Sequence, residues 1–271
     1  MKIAILGATG HVSKNMIDNL RRHELYLFSR NQHRSYSDFF NHDYDAIINC
    51  IGFGDPVKIA NAGVNLFLVT EEYDNKILEY LKNSPDTKYV FISSGVVHLP
   101  FDVNNISKQT FYQMPKINAE AKHRAMPDYN IVDIRLYSFF SRYTNLDAGF
   151  FMSALIKSIK EKTEFVTDYS TLIRDYINPK DLTSLAMHCL KKYKINGAYD
   201  SYSNSSVEKM EIINYFVNNY KLKVKFVDKA TNFSSVGLNK YVSVNHDAAK
   251  LGYSPQYTSM ETIKEESSYL I

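Results

Sequence analysis

The stretch Lys2-Ile3-Ala4-Ile5-Leu6-Gly7-Ala8-Thr9-Gly10-His11-Val12-Ser13 decides how the rest of the chain is read. A short apolar run closes on a glycine. Val12, Met16, Ile17 and Leu20 then recur at helical spacing before a second apolar run, Leu25-Tyr26-Leu27-Phe28. The pattern is strand, tight turn, helix, strand. Such a turn lets backbone N–H groups at a helix N-terminus approach a diphosphate. Gly7, Thr9, Gly10, His11 and Val12 are therefore expected to bind a dinucleotide. Ser13 stands where a third glycine would let helix and strand pack closely, and serine is small enough to be tolerated there.

Working outward, Ala46-Ile47-Ile48-Asn49-Cys50-Ile51-Gly52 reads as a third strand. It follows after only fourteen residues (31 to 44), too few for another full strand and helix. Cys50, Ile51 and Gly52 at its end join the cofactor-contact candidates. Leu66, Val69, Tyr73, Ile77 and Leu81 form a helical stripe, and Tyr89-Val90-Phe91-Ile92 is the next strand. Buried strands alternating with amphipathic helices predict an α/β, Rossmann-type doubly wound parallel sheet whose ligand lies beyond the C-terminal ends of its strands. The dinucleotide-binding part is expected in 1–140 and 173–203. A small α+β substrate lobe is expected in 141–172 and 204–271. In that lobe Ser205 and Glu208 read as a capping-box pair ahead of a helix, and Leu222, Val224 and Phe226 alternate with lysines as a half-exposed strand.

Composition narrows the function classes. The 271 residues, 45% hydrophobic and 14% aromatic, suffice for a large core. Cys50 and Cys189 are too few for a disulfide framework, which predicts a reducing compartment, the cytoplasm. No apolar run reaches membrane-spanning length, and no cleavable apolar leader opens the sequence. The net charge of +3 comes from interspersed lysines and acids, so no nucleic-acid footprint is expected. The histidines are scattered, without metal-ligand spacing, and no metal is expected.

Two constellations carry the chemistry. The second strand ends in Phe28-Ser29-Arg30, without the acidic residue that would accept from an adenosine ribose, which favours NADP(H) over NAD(H). Arg30 is expected to clamp a 2′-phosphate, with Ser29 adding a hydrogen bond. Ser93 and Ser94 close the fourth strand, and Tyr112 and Lys116 follow four residues apart on one helix face. A free tyrosine titrates near ~10, so the ammonium of Lys116 and a bound oxidised nicotinamide are expected to lower Tyr112 toward neutrality. Tyr112 then exchanges a proton with a substrate oxygen that Ser94 also hydrogen-bonds, which is carbonyl/alcohol redox chemistry.

These residues resemble the extended short-chain dehydrogenase/reductase family of NAD(P)-dependent nucleotide-sugar epimerases, dehydratases and reductases. The matching stretches are Gly7-Ala8-Thr9-Gly10, Val90-Phe91-Ile92-Ser93-Ser94, Tyr112 through Glu120, Arg174-Asp175-Tyr176-Ile177-Asn178-Pro179-Lys180-Asp181-Leu182 and Leu251-Gly252-Tyr253-Ser254-Pro255. The resemblance implies a nucleotide-diphosphate sugar as substrate, with Arg174 on its diphosphate and Ser138 in place of a usual substrate-touching asparagine. It also implies a homodimer formed through the Leu66–Leu81 and Tyr112–Met126 helices. His98 replaces a usual tyrosine and is read as packed or superficial. Gly95 and Val96 stand where the family's dehydratases carry an acidic pair, which disfavours dehydration. The expected activity is NADPH-dependent reduction of a nucleotide-linked 4-keto sugar. The alternatives are an NAD-dependent 4-epimerase and a nonenzymatic NADP-sensing regulator.

Overall fold

In the computed structural model, described for all residues except 103, 105 and 229–237, a parallel sheet carries the fold. Its strands are β1 (Lys2–Leu6), β2 (Glu24–Phe28), β3 (Ala46–Asn49), β4 (Lys88–Ser94), β5 (Ile131–Leu136) and, later in the chain, β10 (Asn196–Asp200). They run side by side in the order β10-β5-β4-β3-β1-β2. Alternate side chains of β1 enter different cores, as the two-residue repeat of a strand requires. Ile3 and Ile5 pack with Met16, Leu182 and Leu185, whereas Ala4 and Leu6 pack with Ile77, Leu81 and Phe91. Helices α1 (His11–Asn19) and α6 (Pro179–Lys191) therefore cover one face of the sheet. The long α3 (Asn65–Asn83) and α4 (Lys108–Arg124) cover the other, with a short α2 (Pro56–Ala62) leading into them.

After β2 the chain crosses back over β1 to reach β3, which opens a crevice where β1 and β3 end. Only β2 lies beyond β1 on that side, one strand fewer than a full mononucleotide-binding half supplies. The fourteen residues before Asp45 hold a 3₁₀ turn, Tyr36–Asn41, and no strand or α-helix, as their number predicts.

The second layer grows from the chain after β5. It contains β6 (Ser138–Phe139), α5 (Phe151–Glu161), β7 (Glu164–Thr167), β8 (Ile173–Arg174), β9 (Tyr176–Ile177), β11 (Val207–Glu208), α7 (Lys209–Tyr220), β12 (Lys223–Phe226), β13 (Lys240–Tyr241) and α8 (Ser259–Ser267). Phe140, Leu155, Ile156, Phe165, Ile212, Phe216 and Ile263 form its own core. The alternating Lys223–Phe226 segment is a strand, parallel to β7. The expected capping box at Ser205 and Glu208 is not formed. Glu208 belongs to β11, antiparallel to β8, and is the N-cap of α7 without a side-chain bond. Pairing with β8 keeps the chain extended through Glu208, so the helix starts at Lys209. A capping box does form at Thr258 and Glu261, which open α8. Among the described residues no helix is long and apolar enough to cross a membrane.

Candidate active site

β1, β3 and β4 end beside one another, and a cleft of about 470 Å³ runs from the glycine turn past these ends to the second layer. Gly7 takes φ +76°, and a Cβ there would stand 3.2 Å from the backbone carbon and oxygen of Cys50. Gly10 donates its N–H to the Gly7 carbonyl at 2.8 Å, and a Cβ on it would meet that oxygen at 3.1 Å. Ser13 does more than fit. Buried in the position of a third glycine, its hydroxyl lies 2.6 Å from the Gly7 carbonyl oxygen and 3.0 Å from that of Gly10, closing the turn. Thr9, Gly10, His11 and Val12 line the cleft where α1 begins, with no acidic side chain in its first turn. Backbone N–H groups at this helix end, opening on the cleft that Thr9 to Val12 line, fit a dinucleotide diphosphate.

The side chain of His11 is engaged elsewhere. Its Nε2 lies 2.8 Å from Ser141 Oγ and 3.0 Å from Thr144 Oγ1. Burial, helped by the charge of Lys14, pushes its pKa down to about 4, so the ring is neutral. Ser29 also departs from expectation. It is buried, and its oxygen accepts from the N–H groups of Gln32 and His33 at 3.2 and 3.1 Å, so it shapes the turn after β2 instead of standing open to a phosphate. Arg30 is exposed at this turn, and its charge reaches Tyr36 and Tyr73, whose rings lie 4.5 Å apart. Cys50, Ile51 and Gly52 line the cleft between the turn and the catalytic candidates. Burial pushes the Cys50 thiol up to about 12, so it stays protonated.

Ser94, Tyr112 and Lys116 all line the same cleft. Burial pushes the Tyr112 phenol above its ordinary value, opposed by a hydrogen bond with Ser94. Lys116 is buried. Its ammonium donates to the Ile92 carbonyl at 2.9 Å and lies 4.3 Å from the centre of the Phe91 ring. Burial lowers its pKa to about 8, against the pull of Glu120. The expected lowering of Tyr112 by Lys116 is therefore not found. The ammonium is turned to a carbonyl and a ring, and desolvation governs the phenol. Ser93 spends its hydroxyl on Glu120 Oε1 at 2.6 Å, and Glu120 in turn pairs with Arg135.

A model of the NAD dependent epimerase/dehydratase family matches residues 3–203. The chain belongs to that family. UDP-glucose 4-epimerase from Thermotoga maritima, solved with UDP-glucose, superposes with a TM-score of 0.82 at 12% identity, covering 99% of this chain and 98% of that one. UDP-N-acetylglucosamine 4-epimerase from Methanobrevibacter ruminantium, in complex with UDP-N-acetylmuramic acid, gives 0.81 at 13%, covering 99% and 97%. dTDP-glucose 4,6-dehydratase from Bacillus anthracis, in complex with NAD, gives 0.79 at 12%, covering 99% and 96%. A search of the curated proteins finds no match.

At the end of the cleft against the second layer, the residues expected to meet a substrate are differently engaged. Arg174 is buried and lines the cleft, but its guanidinium donates to the carbonyls of Ile173 and Asn239 at 2.8 and 3.2 Å and of Leu238 at 2.7 Å. It thereby pins β13 beside β8. Ser138 lines the cleft from β6. His98 is exposed, with Nε2 3.0 Å from Asp200 Oδ1. The glycine at 95 has a steric cause, since a Cβ there would stand 2.7 Å from the Tyr137 ring. Two residues that sequence reasoning missed belong to this corner. Tyr241 places its hydroxyl 3.4 Å from Ser94 Oγ, and Tyr137 packs against it with ring centres 4.8 Å apart. Tyr241 has no local motif, and it meets Ser94 across 147 residues of chain.

Proposed function

We propose that the chain reduces the 4-keto group of a nucleotide-diphosphate sugar with NADPH. The observation that carries this reading is the convergence of Ser94, Tyr112 and Lys116 on the cleft that the glycine turn opens into, with burial holding the Tyr112 phenol above its ordinary value. A bound reduced nicotinamide supplies the hydride. The chain supplies the rest. Tyr112 gives its proton to the carbonyl oxygen as negative charge gathers there, and Ser94 hydrogen-bonds the same oxygen. Lys116, buried one turn along α4 with its ammonium on the Ile92 carbonyl, lines the same cleft and adds positive charge to that wall. Backbone N–H groups from Gly10 to Val12 hold the diphosphate, and Arg30 meets the 2′-phosphate. Arg174 and Ser138 serve the substrate's end of the cleft.

The acidic pair of a dehydratase finds no room here, because the Tyr137 ring occupies the space beside Gly95 and Val96 is buried in the same cluster. The epimerase reading draws on the family match and on relatives that are 4-epimerases. One experiment separates the two readings. A panel of UDP- and dTDP-linked sugars and 4-keto sugars is incubated with the purified chain, with nicotinamide absorbance and product identity followed together. Stoichiometric loss of NADPH on a keto sugar supports reduction. Isomerisation of a hydroxy sugar without net coenzyme change replaces it with epimerisation. The same reading includes a homodimer through α3 and α4, where Leu68 and Phe111 are exposed.

A further inference from the structure

We propose that Tyr241 is a positioning residue of this site, whose phenol donates to Ser94 and so turns the single Ser94 proton into the cleft, to the side that Tyr112 lines. This rests on the reading of Ser94 and Tyr112 as the pair that meets the substrate. A hydroxyl has one proton and two acceptor positions. Ser94 Oγ accepts from the Val96 N–H at 3.4 Å, which fills one. The Tyr241 hydroxyl, 3.4 Å away, fills the other. With both acceptor positions taken, the Ser94 proton is left for the cleft, whose wall Tyr112 shares.

The surroundings favour the neutral Tyr241 phenol, which keeps its proton to donate, and hold it still. It is 7% exposed, and burial pushes its phenol well above the ordinary value. The hydrogen bond with Ser94 opposes that shift, as does Arg174, while the Tyr112 phenol and the Asp200 carboxylate push the same way as burial. Its ring is backed by Tyr137, whose own hydroxyl donates to Asp200 Oδ2 at 2.8 Å. Its backbone pairs with Arg174 in β8. The rotor of a serine at the end of the central sheet is thus set by a tyrosine from the second layer, and the hydroxyl takes its working direction when that layer is docked.

Tyr241→Phe removes the hydroxyl and keeps the ring against Tyr137. The titration of Tyr112 is followed by NMR in the coenzyme-free chain labelled at the tyrosine ring carbon, with the resonance assigned by its loss in Tyr112→Phe. We expect the Tyr112 pKa to rise by about one unit in Tyr241→Phe, because its hydrogen bond from Ser94 is no longer directed. Ser94→Ala, which removes the intermediary, should raise it in the same direction. An unmoved Tyr112 in Tyr241→Phe overturns the proposal whatever the reaction proves to be.

Turnover supplies the second readout. With a 4-keto sugar nucleotide and NADPH, Tyr241→Phe should lower kcat about tenfold and leave the KM for NADPH unchanged. It should cost nothing further in the Ser94→Ala background, since contacting residues are non-additive. A full additional loss in that background means that Tyr241 acts independently of Ser94, and it overturns the proposal. If Ser94→Ala and Tyr112→Phe both turn over normally, the functional reading fails, and the NMR titration alone then judges the Tyr241–Ser94 coupling.

Discussion

Replacing Tyr112 by phenylalanine removes one phenolic oxygen and leaves the packing against Val96 and Tyr241 in place. Turnover should fall by about a hundredfold or more, with NADPH affinity nearly unchanged, because only the proton donor is lost. Steady-state kinetics alongside a coenzyme titration measure both, and undiminished turnover would discard the assigned chemistry. Arg30 gives a second test at this scale. It is exposed after β2, and on the proposed reading it meets a 2′-phosphate, so Arg30→Ala should weaken NADPH roughly tenfold and leave NADH almost untouched. Equal losses for both coenzymes would remove the NADPH preference from the reading. The glycine turn, Ser94, Tyr112 and Lys116 were legible as residue types at fixed spacing. Their present hydrogen bonds were not, because Lys116 meets Ile92 and Ser29 meets Gln32 and His33 through backbone atoms that carry no sequence signature.

Between elements, α3, α4 and β5 share a buried ionic cluster that no sequence spacing announced. His123 of α4 is fully buried, with Nδ1 2.6 Å from Asp133 Oδ1 on β5 and Nε2 2.8 Å from Asp74 Oδ1 on α3. Burial opposes its charge, but the two carboxylates outweigh that cost and lift its pKa from 6.5 to about 9. A raised folded-state value means that this contribution is complete below pH 6.5 and is lost as pH rises through about 9. The contribution is on the order of 3 kcal/mol, from about 1.4 kcal/mol per pKa unit. Unfolding free energy measured by denaturant titration should therefore fall between pH 7 and pH 9. In His123→Gln it should start lower and lose most of that slope. Parallel slopes in the two proteins would show that the histidine is not the titrating group.

Across the whole molecule, the segment after β6 joins parts far apart in sequence. Ser141 and Thr144 hold His11 at the start of α1. Between them Arg142 donates from its backbone N–H and its guanidinium to Glu266 on α8, which is only 1% exposed. Arg142→Met leaves that carboxylate buried without its cation and should cost about 3 kcal/mol, lowering the melting temperature by several degrees. Adding Glu266→Gln should recover part of the loss. A double variant no more stable than Arg142→Met would show that the pair does not act as a unit.

The sequence by itself determined the α/β layering, the glycine turn, the shortened span before β3 and the order of Ser94, Tyr112 and Lys116. Each depends on chemistry local to a strand, a turn or one helix face. Tertiary structure decided the burial that pushes the Tyr112 phenol up, the turning of Arg174 to backbone carbonyls, the Tyr137 ring over Gly95 and the arrival of Tyr241 at Ser94. Desolvation and hydrogen-bond direction depend on which distant segments pack together. A linear spacing rule holds no record of such neighbours.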